Sequence, residues 1–502
     1  MGRGQGTYPL VQNGAGKDVF MENGKVFLVG AGPGDIGLIT VKGLEAIKQA
    51  DVILFDRLAN PKLLNFAPSH CEFIYGGKLP FKHTLRQEKI NSILVEKALE
   101  GKKVVRLKGG DPGVFGRVGE EALELANAQI EFEIIPGITS GIAAPLYAGI
   151  PVTHREFGET FAVVTAHNKS KDGKPILDWK SLANGIDTIA FYMGVGNLPY
   201  ICDNLIANGK SPDTPVALIQ WGTFGRQKTL EGTLSTIADL VVEHGFSNPA
   251  ITLVGDIVSL RNQINWFEKK PLFGRQILLA RTGVQPSSLA QALMDQGADV
   301  IEFPKWKSEE VPIDDSVLNN LSNYEDILFT SAESVEEFFQ ILVKEEIDVR
   351  SITGQVYGLS TKTIKALAHK GLIGEIADHL EHRDKLLVIG DSRIGEQQYE
   401  FCHTFITCDY KIDTTLTPTI KRILDDAKPD TIVFPSSQSV KMFFEEEQVT
   451  ELFPSDYLAG INVICMGEQT ERAVQFYGTK PDGTAANPSK QALIDAILNV
   501  QG

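Results

Sequence analysis

A chain of 502 residues, 43% hydrophobic and 22% charged, has the length for roughly two to four domains and a globular composition, which excludes an intrinsically disordered protein. Its net charge of −16 lies wholly in residues 271–502, with 20 Lys and Arg against 36 Asp and Glu, while residues 1–270 balance at 28 against 28. Neither half has the basic surplus that displaces phosphate counterions, so nucleic acid is excluded as a general partner.

No run of about 18 apolar residues occurs, which excludes a membrane-spanning helix. Five cysteines without a CxxC pair argue against a disulfide framework and for a reducing, cytoplasmic setting. Residues 1–21 are Gly-rich and polar, with no apolar signal-peptide core, and are expected to be a disordered extension upstream of Met21.

Residues 26–29 form an apolar run that enters Gly30-Ala31-Gly32-Pro33-Gly34-Asp35, a strand and Gly-rich turn of the kind that opens an α/β domain. A helical pattern over 39–50 leads to a second strand at 52–55, ending in Asp56-Arg57. The glycines do not make a dinucleotide fingerprint: the spacing is GxGxG, and Pro33 removes a backbone N–H where a pyrophosphate needs donors. Thr84-Leu85-Arg86-Gln87 has capping-box spacing, Ile90, Leu94 and Ala98 recur at i, i+4, and Gly101 marks a helix stop. A strand at 104–107 then empties into Lys108-Gly109-Gly110-Asp111-Pro112-Gly113, and residues 134–135 into Pro136-Gly137-Ile138-Thr139-Ser140. Such loops expose backbone amides and carbonyls at neighbouring strand ends, where open α/β sheets bind small ligands. Each loop taken singly reads equally well as an ordinary turn.

Near Pro271 the charge balance changes, and beyond it the sequence repeats itself. Leu328-Phe329-Thr330-Ser331-Ala332-Glu333-Ser334-Val335 recurs 105 residues later as Val433-Phe434-Pro435-Ser436-Ser437-Gln438-Ser439-Val440. Thr363 recurs as Thr470, with Gly371 and Gly478 eight residues past each. A repeat of this length containing strand, hydroxyl loop and helix means two similar α/β lobes. The hydroxyls sit where they would cap helices; caps from facing lobes would also line a cleft with donors suited to carboxylates. His379, His382, Cys402, His403 and Cys408 match no zinc spacing, so no metal is expected.

The motifs Val29-Gly30-Ala31-Gly32-Pro33-Gly34-Asp35, Phe55-Asp56-Arg57-Leu58, Arg106-Leu107-Lys108-Gly109-Gly110-Asp111-Pro112, Phe115-Gly116-Arg117, Pro136-Gly137-Ile138-Thr139-Ser140, Pro151-Val152-Thr153-His154-Arg155 and Tyr192-Met193-Gly194 resemble the uroporphyrinogen-III C-methyltransferases. The resemblance implies two α/β lobes around S-adenosylmethionine, no metal, a homodimer, and double methylation of uroporphyrinogen III to precorrin-2, toward sirohaem and cobalamin. Matched motif by motif, it places the cofactor against Pro33, Gly109, Gly110, Asp111, Val114, Thr139, Ser140, Met193 and Gly222. Asp56 matches the proton acceptor, Lys78 in Gly76-Gly77-Lys78 the proton donor, and Arg106 a substrate contact. His154 and His167 read as hydrogen-bonded scaffold. Gly113, where the family often has an aromatic residue, and Ala166, where it has Gly, are departures.

Residues 272–502 resemble uroporphyrinogen-III synthase at Gly274-Arg275-Gln276-Ile277-Leu278-Leu279-Ala280-Arg281, Gly297-Ala298-Asp299-Val300, Phe329-Thr330-Ser331 and Thr361-Lys362-Thr363, with Ser360 a departure from Gly. This implies closure of hydroxymethylbilane by two lobes threaded out and back, one from 272–305 plus 413–502, the other from 306–412. Tyr410 and Thr470 are then the catalytic candidates, and Thr330, Ser331, Thr363 and Ser436 the contacts to substrate carboxylates and the departing oxygen. The expected plan is an α/β chain: extension 1–21, methyltransferase 22–266, linker 267–271, synthase 272–502. The rival reading is a methylase of another corrin intermediate, followed by a bilobal tetrapyrrole-binding half without turnover.

Overall fold

The computed structural model describes residues 24–77, 87–167, 173–377, 385–394 and 402–500, together with the backbone of Val11–Gln12 and Asp18–Val19, which pair antiparallel. The rest of the expected extension, Lys78, Thr84-Leu85-Arg86 of the expected cap, His379 and His382 lie outside the described residues. The chain divides into two compact units, Met1–Ile277 with Ala292–Val300 and Leu278–Gln291 with Ile301–Gly502. No helix among the described residues is long and apolar enough to cross a membrane.

In the first unit the strand Lys25–Gly30 is a near-continuous apolar run, as a strand covered on both faces must be. It lies in a wholly parallel sheet ordered Glu72–Tyr75, Val52–Phe55, Val104–Lys108, Lys25–Gly30, Glu131–Ile135. The helix expected over 39–50 runs Val41–Lys48, because the Thr40 hydroxyl accepts from the Gly43 amide at 3.1 Å and sets its start. Helix Gln87–Leu99 buries Ile90, Leu94 and Ala98 against Val26, Leu28 and Leu54, and Gly101 follows it at φ +79°. A second sheet, ordered Lys228–Thr233, Pro215–Gln220, Ala250–Val254, Thr188–Tyr192, Phe161–Thr165, is antiparallel except for its last pair.

The loops leaving the first sheet touch backbone to backbone. Gly32 and Gly110 exchange hydrogen bonds, N to O, at 3.2 and 2.7 Å. A Cβ on Gly30 would lie 2.6 Å from the Gly137 nitrogen, and one on Gly137 would collide with the Gly110 carbonyl. Gly30 and Gly137 are needed for this approach, while Gly32 and Gly110 are needed for their left-handed φ of +76° and +70°.

The second unit contains the parallel sheet Glu375–Ile376, Gln355–Gly358, Asp326–Phe329, Leu386–Gly390, His403–Ile406. A second five-stranded sheet runs Asp299–Phe303, Gln276–Ala280, Thr431–Phe434, Asn462–Cys465, Gly483–Thr484. The sequence repeat maps strands 431–434, 462–465 and 483–484 onto 326–329, 355–358 and 375–376. Strands 276–280 and 299–303 then take the places of 386–390 and 403–406, so the second sheet draws on two distant stretches of chain. The chain crosses between them at an antiparallel ribbon of Trp306–Glu309 with Asp409–Ile412.

The Gly-rich contact yields a contrast. Gly137→Ala is expected to destabilise the first unit by about 1–3 kcal/mol through overpacking against rigid backbone. Gly119→Ala, in helix Val118–Asn127 with open space where the methyl would go, is expected to stabilise by about 0.5–1 kcal/mol. Denaturant unfolding of the two variants checks both signs.

Candidate active site

A cavity of about 620 Å³ opens at the carboxyl ends of the parallel strands, and all nine positions expected to hold the cofactor line it: Pro33, Gly109, Gly110, Asp111, Val114, Thr139, Ser140, Met193 and Gly222. Asp56 and Arg106 line it as well. Asp111 braces the wall, its two carboxylate oxygens accepting from the Gly113 amide at 2.7 Å and the Gly137 amide at 2.9 Å. Apolar side chains, among them Met193, Ile219, Phe115 and Phe224, complete the lining. A Cβ on Gly222 would collide with Ala144, so its loop presses directly on helix Ser140–Tyr147. Backbone polar groups without side chains, combined with apolar and aromatic lining, suit a ligand with a charged end and a flat aromatic end.

Tyr192, which the sequence reading passed over, ties the two sheets at this cavity. Its phenol oxygen accepts from the Gly141 amide at 2.5 Å and shares a hydrogen bond with the Thr139 hydroxyl at 2.5 Å, while its ring meets Phe115 edge-on at 5.1 Å. Burial pushes the Tyr192 phenol pKa up, so it stays protonated. Four cavity-lining residues, Phe115, Arg117, Met193 and Trp221, have left-handed backbone at φ between 51° and 60°. Non-glycine residues held there cost about 1–3 kcal/mol each, a strain that collects where a structure must present ligand contacts.

Beneath the cavity lies a buried set of charges. Arg106 and Lys108 stand on one face of the strand Val104–Lys108, 2% and 4% exposed. Arg106 Nη2 donates to Asp56 Oδ1 at 2.7 Å and Nε to Glu121 Oε1 at 3.1 Å; Lys108 Nζ donates to the same Glu121 oxygen at 2.8 Å. Two cations thus meet two carboxylates. Burial above all, and Arg106 next, lower the Lys108 pKa. Lys108, Glu121 and the cavity-lining Arg117, which grips Glu120 at 2.6 and 2.8 Å, were not singled out from sequence. The signal for Glu121 was present: two cations two residues apart in an otherwise apolar strand require a carboxylate from elsewhere. His154 holds a turn, its backbone paired with Gly158 and its Nδ1 accepting from the Glu156 amide.

In the second unit the hydroxyls expected to serve together are spread over both sheets and the ribbon. Ser331 and Ser436 form capping boxes with Ser334 and Ser439, as the repeat implies, and remain partly exposed. Thr330, also partly exposed, donates to the Ile389 carbonyl at 3.3 Å. Thr363 and Thr470 are instead sealed, 0% and 5% exposed. Ser360 rather than Thr363 caps its helix, and the corresponding Gly467 provides no side-chain cap at all. The buried Tyr410 phenol donates to Glu337, which also accepts from Thr407 Oγ1 at 2.6 Å and Cys408 Sγ at 3.2 Å. Burial, then Glu337, drive the Tyr410 pKa up, and burial pushes that of Cys408 to about 12. Arg393 stacks on the Tyr410 ring at 4.7 Å while pinned by Asp391 at 2.8 and 3.0 Å.

Comparison with known proteins places both halves. Residues 25–238 match the family of tetrapyrrole (corrin/porphyrin) methylases, and residues 395–495 that of uroporphyrinogen-III synthase HemD. A uroporphyrinogen-III C-methyltransferase of Bacillus subtilis (strain 168) is 47% identical over 462 residues, covering 92% of this chain and 95% of its own. One from Priestia megaterium is 60% identical over 236 residues, 47% of this chain and 99% of its own. The porphyrin biosynthesis protein HemD of Ruminiclostridium josui is 34% identical over 501 residues, 96% of this chain and 99% of its own. Among solved structures, a uroporphyrin-III C-methyl transferase from Thermus thermophilus complexed with S-adenyl homocysteine is 35% identical with a TM-score of 0.41, covering 47% of this chain and 100% of that one.

Tyr192→Phe leaves the Gly141 amide without its acceptor and is expected to cost about 1–3 kcal/mol in urea unfolding of the first unit. Thr139→Val keeps that acceptor and is expected to cost less than half as much in the same measurement.

Proposed function

We propose that this chain, which belongs to the uroporphyrinogen-III C-methyltransferases and carries a uroporphyrinogen-III synthase segment behind the methylase, closes hydroxymethylbilane to uroporphyrinogen III and methylates that product twice to precorrin-2. The observation that carries the methylation reading is the meeting, in one cavity, of the nine cofactor positions with the Asp56–Arg106 pair. The same cavity supports S-adenosylmethionine as the methyl donor, since the bare Gly109-Gly110 backbone and the Met193 face suit its charged and aromatic ends. When bound, it supplies a methyl group already activated on a sulfonium.

A pyrrole carbon of the porphyrinogen is itself nucleophilic, so the chain's main task is alignment of the two reactants, a proximity effect. The methylated ring carries positive charge until it releases a proton. Asp56, whose side chain is 30% exposed on the cavity wall, is positioned to accept that proton, with Arg106 orienting its carboxylate. Arg106, Arg57 and Arg117 put cations on the wall that an octacarboxylate meets. Lys78 is the proposed proton donor.

The synthase reading assigns residues 272–502 to ring closure, with 22–266 as the methylase and 267–271 between them. Hydroxymethylbilane loses hydroxide to a resonance-stabilised azafulvene, so the residues have chiefly to fold a flexible chain of four pyrroles. Thr330, Ser331 and Ser436, exposed at strand ends beside helix N-termini, are the proposed carboxylate donors. Thr363 and Thr470, sealed from solvent, no longer stand as direct contacts to the substrate, while Tyr410 is proposed to act through its Glu337 contact. A homodimer is proposed through the first unit, whose helix Ser140–Tyr147 exposes Ile142 and Leu146 one turn apart, with Ile138 exposed just before it.

Anaerobic incubation with hydroxymethylbilane and labelled S-adenosylmethionine is expected to yield dimethylated type-III product, read by isomer-resolving chromatography and mass. Type-I or unmethylated product alone, followed by methylation of supplied uroporphyrinogen III, would make the second unit a binder without turnover. No methylation of supplied uroporphyrinogen III would overturn the acceptor assignment. Asp56→Asn is expected to lower the methylation kcat by about 100-fold or more while S-adenosylhomocysteine binding stays within about threefold.

A further inference from the structure

The proton acceptor proposed above does not have Arg106 to itself. The guanidinium lies between two carboxylates, giving Nη2 to Asp56 on the cavity wall and Nε to Glu121, which is wholly buried and does not line the cavity. One Glu121 oxygen, Oε1, takes three donors: Arg106, Lys108 and Gln87 Nε2 at 3.1 Å. Its other oxygen, Oε2, is sealed and has no hydrogen-bond partner among the described residues. A carboxylate buried this way, with half its acceptor capacity unused, is a costly arrangement for scaffolding alone. A glutamine there could still accept from Arg106 and Lys108, but it would leave Asp56 as the one carboxylate bonded to Arg106.

We propose that Glu121 is a positioning residue for Asp56: by taking a share of the Arg106 and Lys108 charge, it sets how firmly Arg106 holds the Asp56 carboxylate and so how readily that carboxylate accepts a proton. The inference rests on Asp56 being the acceptor. A fully committed Arg106 would leave Asp56 a weak base, since an opposite charge at hydrogen-bond distance favours the ionised form. Dividing the guanidinium between two carboxylates weakens that hold while fixing the guanidinium plane from its second edge. The charged groups by the pair are Arg106 and Lys108 near Asp56, with Arg57 lining the same cavity, and Arg106 and Lys108 bonded to Glu121, which also acts on Arg117, itself under the influence of Glu120 and, from helix Gln87–Leu99, Glu88.

The two neighbours of Arg106 predict shifts of opposite sign. Glu121→Gln leaves Asp56 as the sole carboxylate on Arg106, so the Asp56 titration midpoint is expected to fall by about one pH unit. The acidic limb of the kcat/KM profile should move down with it, and kcat should fall about tenfold as the base weakens. Lys108→Met leaves Glu121 wholly to Arg106 and removes a cation near Asp56, so the same midpoint should rise. Glu124→Gln, on the exposed face of the same helix, should match the wild type.

The midpoint is read in the full chain by carboxyl carbon-13 NMR, assigned with Asp56→Asn, and needs no turnover. It therefore decides this inference even if the chain proves to methylate another acceptor. Thermal unfolding and S-adenosylhomocysteine affinity establish that each variant is folded. An unchanged or raised midpoint in folded Glu121→Gln would overturn the proposal. If that variant fails to fold, an unchanged or lowered midpoint in Lys108→Met overturns it instead.

Discussion

Without a Cβ at Gly30 or Gly137, and with Gly110 free to take its left-handed φ of +70°, the loops that leave three neighbouring strands lie directly on one another, and their backbone groups hydrogen-bond in place of side chains. That close approach holds the Gly109-Gly110 segment open toward the cavity and brings Asp111 within reach of the Gly137 amide. It also fixes where helix Ser140–Tyr147 begins, and therefore where Thr139 and Ser140 face the same space. The left-handed residues Phe115, Arg117, Met193 and Trp221 surround this rigid centre. A stiff cradle of this kind lets a reaction that needs alignment more than acid–base power proceed with few catalytic groups.

Much of this was legible in the sequence because it is local. Strand, Gly-rich loop and helix follow one another within a few residues, and the buried Ile90, Leu94 and Ala98 carry their periodicity on the surface of the text. What was not legible depends on residues far apart. Tyr192 reaches Thr139 across 53 positions and Tyr410 reaches Glu337 across 73, and no local pattern pairs either tyrosine with its partner. Glu121 is nearer, 15 residues from Arg106, and buried charge balance alone could have pointed to it. In the second unit the repeat pointed to capping hydroxyls, which Ser331 and Ser436 are and Thr363 is not, and it could not separate Ser331, which stays partly open, from Thr363, which is sealed. That distinction comes from packing: Gly358 lies against the Thr363 side chain, with no room even for a methyl group between them.

The surplus acid of the second half also has a structural side. Several of its carboxylates are committed to neighbours, Glu309 between Lys307 and Lys411, Asp391 to Arg393, and Glu337 to three donors of the ribbon region. Glu309 is held at a pKa of about 2 by its two lysines, in the order Lys307 then Lys411. The net of −16 already counts these lysines and arginines, so the field that an anionic substrate meets comes from the acids in excess of them, screened beyond a Debye length.

The composite sheet of the second unit bears on how the protein is made. Strands Gln276–Ala280 and Asp299–Phe303 are synthesised early, yet Thr431–Phe434, which lies beside Gln276–Ala280, follows it by roughly 150 residues. The sheet between them is drawn from one unbroken stretch, 326–406, and can close as soon as it emerges. Vectorial synthesis thus favours an order in which the inserted lobe forms early and becomes the template that brings the waiting strands and the late-arriving C-terminal segment into register. Until that moment Gln276–Ala280, flanked by Asp299–Phe303 on one edge, presents its other edge without its later partner. A chaperone that shields extended hydrophobic segments would have its work here, in the interval set by the length of the insertion.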